Sequence, residues 1–147
     1  MKVTVIKWRG SFSTPRLQFR GASLAIRRRI RPYSRAILKR LAVDDAIVPE
    51  IWPFEIANSI FVSFSRRNRI TERQIHEYLD LLKALPIRLE TQSLWTNVDL
   101  EALARRRNLA AYDTAYLHLA KRLNLALATS DGPLREAAMA EGVATIE

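Results

Sequence analysis

The chain has 147 residues, 48% of them hydrophobic, with 24 Lys or Arg against 15 Asp or Glu, a formal charge of +9. That length suits one domain with a core of its own, burying about 70% of its unfolded surface. With no cysteine and only two histidines, His76 and His118, disulfides and thiolate metal sites are excluded, and a metal would have to be held mainly by oxygen.

No apolar run approaches the ~20 residues of a membrane span. The opening "MKVTVIKWRG" has only a four-residue apolar patch before Lys7, too short for a secretory segment. A soluble, cytoplasmic protein with no membrane association is expected. The charge is unevenly spread. Residues 1–43 carry 12 of the basic residues and no acid, whereas residues 44–147 carry 12 bases against all 15 acids, a net −3. A basic arm for nucleic acid is one account of this.

From residue 44 the elements follow in order. "AIVP" (46–49) reads as a short strand ended by Pro49. "WPFEIANSIFVSFSRR" reads as a helix with Pro53 in its first turn. "TERQIHEYLDLLKAL" is a second helix: Thr71 and Gln74 have capping-box spacing, and Ile75, Tyr78, Leu79, Leu82 and Leu85 recur at helical period. Pro86 ends it, and "IRLE" (87–90) is a short strand. "VDLEALARRRN" is a helix stopped at Asn108, followed by the helix of "AAYDTAYLHLA" (110–120). "LNLALAT" (123–129) reads as a buried strand. "GPLREAAMAEG" places Pro133 at a helix start and Gly142 past its end, and "VATI" closes as a strand. Strands alternating with helices predict an α/β fold with a mainly parallel sheet. Ligands of such sheets bind outside the carboxyl ends of the strands.

Three acids fall where that edge is expected. Glu55 lies in the first turn after strand 46–49, with Asn58 and Ser59 continuing a polar stripe. Asp131 follows strand 123–129. Asp113 stands near the start of its helix among Leu109, Ala110, Tyr116 and Leu117, a costly place for a charge without compensation. Each has a plainer reading. Asp131 could cap the helix begun at Pro133, Glu55 could answer the helix dipole, and Asp113 could be an N-cap if its helix begins at Thr114. Lys121 and Arg122 lie too far along the helix to pair with Asp113. Converging carboxylates need a cation, and hard oxygen ligands select Mg²⁺ or Mn²⁺. Such a site supports metal-assisted phosphodiester hydrolysis.

With these residues the chain resembles a PIN-domain ribonuclease of the VapC toxin type. The resembling stretches are "VPEIWPFEIANSI", with Glu55 and Asn58; "ALARRRNLAAYDTAYLHLAKRLNLALATSD", with Asp113, Thr129 and Asp131; and "GPLREAAMAEGVATI". Together they run from about residue 41 to the end. The resemblance implies a single domain of three-layer α/β/α architecture around a mainly parallel central sheet. It implies an Mg²⁺- or Mn²⁺-dependent endoribonuclease, the toxin of a toxin–antitoxin pair, with RNA as substrate, a cognate antitoxin as partner and a homodimer as assembly. Glu55, Asp113 and Asp131 would be the catalytic and metal-holding acids, Asp113 the principal ligand after a first Asp. Thr129 would be the hydroxyl beside the last acid and Asn58 a supporting residue. Asp113→Asn is then expected to abolish metal-dependent cleavage and leave the fold intact.

The chain departs from the family at its start, where a first strand should end in a metal-binding Asp. No acid precedes Asp44, and Asp44 and Asp45 stand before strand 46–49, at the opposite edge of the sheet. By resemblance the Asp falls near "TPRLQFR" (14–20). A reading-frame shift over residues 1–31 accounts for the departure, because Arg16 and Leu17 encoded CGA CTN contain the Asp codon GAC. If the segment is genuine, "KVTVI" replaces the first strand. The alternative function is then a catalytically impaired PIN-like protein that binds RNA or antitoxin. A third reading is a plain α/β domain whose acids are caps. The runs "RRNR" (66–69), "RRR" (105–107) and "RRRIR" (27–31, with Tyr33) are phosphate contacts on one reading and solvated helix ends on another. Trp52, Trp95 and Tyr78 read as packing residues.

Overall fold

The computed structural model describes residues 3–7, 37, 39–41, 44–66, 70–93 and 96–146. The chain divides into two compact units, one of residues 1–9, 43–52 and 86–147 and the other of residues 10–42 and 53–85. "TPRLQFR", "RRRIR", Tyr33 and Trp95 lie outside the described residues, as does "RRNR" beyond Arg66.

The first unit holds a five-stranded sheet. Its strands are β1 (Val3–Ile6), β2 (Asp45–Pro49), β3 (Ile87–Glu90), β4 (Ala126–Ala128) and β5 (Thr145–Ile146), in the order β3-β2-β1-β4-β5. Every pairing is parallel. The chain winds outward from β1 in one direction to β3 and in the other to β5, with helices on both sides of the sheet. The expected α/β fold is present. "KVTVI" supplies the middle strand, with Val5 and Ile6 buried.

Three helices belong to this unit: α3 (Thr96–Arg107), α4 (Ala111–Leu123) and α5 (Gly132–Ala140). The core joins Val5 and Leu127 of the sheet to Leu103 of α3, Tyr116, Leu117, Leu119 and Ala120 of α4, and Leu134, Ala137 and Ala138 of α5. Trp52 packs against this cluster, as a packing residue should. Asn108 (φ 51°) and Asn124 (φ 52°) end α3 and α4 in the left-handed region, which Asn tolerates better than most residues, and Gly142 (φ 73°) does the same after α5. The stop at Asn124 corrects the expected strand 123–129. Leu123 is the last residue of α4, and only Ala126–Ala128 pair, because the left-handed turn uses the two residues between. The closing strand is likewise shorter than "VATI", beginning at Thr145.

The second unit contains α1 from Pro53 onward (Trp52–Phe61, whose first residue belongs to the first unit), a π-helical turn over Val62–Arg66, and α2 (Glu72–Ala84). The capping box is formed: the Gln74 N–H donates to Thr71 Oγ1, and the Thr71 N–H donates to Gln74 Oε1 at 2.9 Å. The predicted stripe of α2 is half-buried, and burial pushes the Tyr78 phenol up from its ordinary value. No helix among the described residues is long and apolar enough to cross a membrane.

Glu141 ties the three helices of the first unit together. Its side chain is 6% exposed and takes Arg106 at 3.0 Å and Arg107 at 2.7 Å, with Lys121 on its other oxygen. Arg106 and Lys121 above all, with Arg107 adding to them, pull its carboxyl from 4.5 down to about 2. A depressed carboxylate stabilises the fold above its ordinary value, and that contribution is lost as pH falls through the folded one. Glu141→Gln is therefore expected to lower stability at pH 7 by about 1.5 kcal/mol, the low end for hydrogen bonds to a charged group because the bases are partly solvated. The gap to the unsubstituted protein should close as pH falls from about 4.5 to about 2. Urea unfolding across that range checks it.

Candidate active-site edge

Parallel pairing brings the carboxyl ends of all five strands to one edge. Ile6 pairs with Ala128, and the Lys7 N–H donates to the Ala128 carbonyl at 3.0 Å, so Lys7 and Thr129 leave neighbouring strands side by side. Asp113 reaches the same edge by a different route. Only Asn124 and Leu125 separate the end of α4 from β4, so the helix ends at the amino edge of the sheet. Its 13 residues cover about 20 Å, enough to return its first turn to the carboxyl edge.

There Asp113 finds its compensation. The Lys7 ammonium donates to Asp113 Oδ1 and lies 4.5 Å from the centroid of the Tyr116 ring. Asp113 and Tyr116, three residues apart, present one face of α4, so one cation meets a carboxylate and a π face together. The Lys7 side chain is 2% exposed and that of Asp113 13%. The N-cap of α4 is Ala110, which caps with no side chain, so Asp113 is a first-turn acid and not the cap. The nearby helix dipole also favours its charge.

Asp131 is the N-cap of α5. Its Oδ1 accepts the Leu134 N–H at 2.9 Å, while its own N–H donates to Thr129 Oγ1 at 3.1 Å. Thr129 is 1% exposed, so strand end, turn and helix start are fastened together. Glu55 and Asn58 belong to the second unit, on α1, with Glu55 half-buried in the first turn and Asn58 exposed. Asp45, at the amino end of β2, pairs with Arg88 at 3.4 Å, as its position at the opposite edge requires.

Asp113 and Asp131 thus have a companion at this edge that the sequence did not single out, Lys7. Tyr116, expected only as an apolar neighbour of Asp113, turns its ring face to that ammonium. A signal existed for Lys7: a lysine immediately after a short apolar strand must project at the edge where that strand ends. Nothing local links it to Asp113, 106 residues away. The bases expected near phosphate are otherwise engaged, Arg105 with Glu101, and Arg106 and Arg107 with Glu141. His76 Nδ1 sits 2.8 Å from the Glu72 carbonyl oxygen. Burial lowers the His118 imidazole, assisted by Arg122 and Lys121 against the opposing Asp99, which keeps it neutral at pH 7.

These residues do not fit a divalent metal. Mg²⁺ takes one or two carboxylates in near-octahedral geometry and keeps several waters. Here Asp113 already faces a buried ammonium, which repels a second cation, and Asp131 already caps a helix. Among the described residues, no three acids or histidines are grouped to share a metal ion. No protein-family model matches the chain, and no curated protein matches it.

The pair also alters what Asp113→Asn does. The substitution leaves Lys7 with its carboxylate removed, so the fold is no longer expected to be indifferent to it. Removing one partner of a buried pair costs about 3–5 kcal/mol, and the low end applies where Asp113 keeps some exposure. Asp113→Asn is expected to cost about 3 kcal/mol, and Lys7→Met a similar amount. The double variant should cost clearly less than the sum, a coupling read by urea unfolding of the four proteins.

Proposed function

We propose that this chain is a PIN-like protein of the VapC toxin type, built on the plan of an Mg²⁺- or Mn²⁺-dependent endoribonuclease. In the present sequence it acts by binding RNA and a cognate antitoxin, with hydrolysis impaired. The parallel sheet of order β3-β2-β1-β4-β5 supports the family reading. So does the meeting of Asp113, Thr129 and Asp131 at its carboxyl edge, on the residues that carry the resemblance. The observation behind the impairment is the Lys7 ammonium on Asp113, at the end of the central strand where the family has a metal-binding Asp.

The RNA partner follows from charge. A net +9 protein attracts a polyanion, and its affinity should fall steeply with salt as counterions are released. A second reading keeps Glu55, Asp113 and Asp131 as working catalytic acids. What favours it is that Asp113 and Asp131 do stand at one edge, beside Thr129.

RNA cleavage by this chain with and without Mg²⁺ or Mn²⁺, beside Asp113→Asn checked for folding by circular dichroism, separates the two readings. Impaired hydrolysis predicts no metal-dependent cleavage in either protein and salt-sensitive RNA retention in both. Metal-dependent cleavage by the unsubstituted chain that disappears in Asp113→Asn would overturn the impairment and leave the second reading in place.

A further inference from the structure

We infer that the Lys7 ammonium is a built-in counter-cation for Asp113, occupying the place a divalent ion would need and closing the site to Mg²⁺ and Mn²⁺. The inference stands on the Asp113 geometry. Only its consequence for RNA hydrolysis rests on the function proposed above.

Three features fix the ammonium where it is. Lys7 follows the central strand directly, and its own N–H is bonded to Ala128, so the backbone cannot carry the side chain elsewhere without breaking sheet pairing. Its side chain is 2% exposed, so the head group does not reach water as the heads of surface lysines do. At the far end the ammonium is held by Asp113 and by the Tyr116 face, and Tyr116 is itself wholly buried. A lysine head group is a compact point charge with three donors, which suits it to the place of a small cation.

The repulsion follows. Among the described residues one ammonium already faces Asp113, and adding a divalent ion would put three positive charges beside it. A metal gains there only if the ammonium leaves, and burial prevents that. The carboxylate that follows β4, Asp131, is turned to the α5 N-terminus through Leu134. Lys7 thus does for Asp113 electrostatically what a bound metal would do, but it supplies no metal-bound water and no open coordination position.

Removing the ammonium while keeping the apolar stem should convert the place into a cation site. Lys7→Met, Asp113→Asn, Lys7→Met with Asp113→Asn, and the unsubstituted protein can be compared by Mn²⁺ titration, read by electron paramagnetic resonance of free Mn²⁺ and by thermal unfolding. The unsubstituted protein should give no Mn²⁺ binding that depends on Asp113. Lys7→Met should bind Mn²⁺ at least about tenfold more tightly than the double variant and regain part of its lost Tm on adding the ion. Stoichiometric, Asp113-dependent Mn²⁺ binding by the unsubstituted protein would overturn the inference, as would a folded Lys7→Met that is indifferent to Mn²⁺. If Lys7→Met does not fold without metal, refolding it in millimolar Mn²⁺ replaces the titration: recovery supports the inference and failure to recover overturns it. None of these readings involves RNA, so their failure is distinct from failure of the proposed function.

Discussion

β1 pairs on both sides, with β2 through Val3–Val5 and with β4 through Thr4–Ile6, so its register decides what reaches the carboxyl edge of the sheet. Four residues place Lys7 against the end of β4, and the rest of the edge is built around that point. α4 can return Asp113 to the same place because a two-residue link holds its other end at the start of β4. A slip of one residue in β1 would send the Lys7 side chain to the other face and take the ammonium away from the Asp113 carboxylate. The short middle strand therefore governs both the sheet and the buried Lys7–Asp113 ion pair.

Three acids of the first unit are compensated in three ways. Asp113 meets an ammonium and a ring face, Asp131 accepts a helix N–H, and Glu141 gathers three bases from two helices. The physical demand is common, since a carboxylate turned toward protein needs donors or charge. The consequences differ. Glu141 is a tie between helices, and Asp131 fastens a turn. Asp113 pairs with a buried charge at the edge where parallel α/β sheets hold ligands, and this is why the functional question turns on that pair.

The nuclease plan proposed for this chain and the content of this site pull apart at one residue. A carboxylate at the end of the central strand would add to the negative charge of Asp113 and call for a cation. A lysine there removes the call. On the proposed reading, the same scaffold then keeps the attraction to a polyanion and loses the means of activating water. The basic excess of the first 43 residues, with no acid among them, would add to the proposed attraction to RNA without bearing on hydrolysis.

Much of the fold was legible because its signals are local. Thr71 and Gln74 make the capping box, Pro133 and Asp131 open α5, and Asn108 and Gly142 stop helices in the left-handed region, each as spacing within a few residues dictates. The limits of β4 were not legible, since "LNLALAT" is apolar throughout and only the αL turn at Asn124 decides where the helix stops. The sequence also determined that Asp113 needed compensation, because its helical neighbours are apolar. It did not determine the compensator. Lys121 and Arg122 could be ruled out by helical distance, whereas Lys7 is joined to Asp113 only through the strand order of the sheet. Local chemistry is written in neighbouring residues, but a contact across 106 residues exists only once parallel pairing and a helix of the right length have brought two edges together, and that the tertiary structure alone decided.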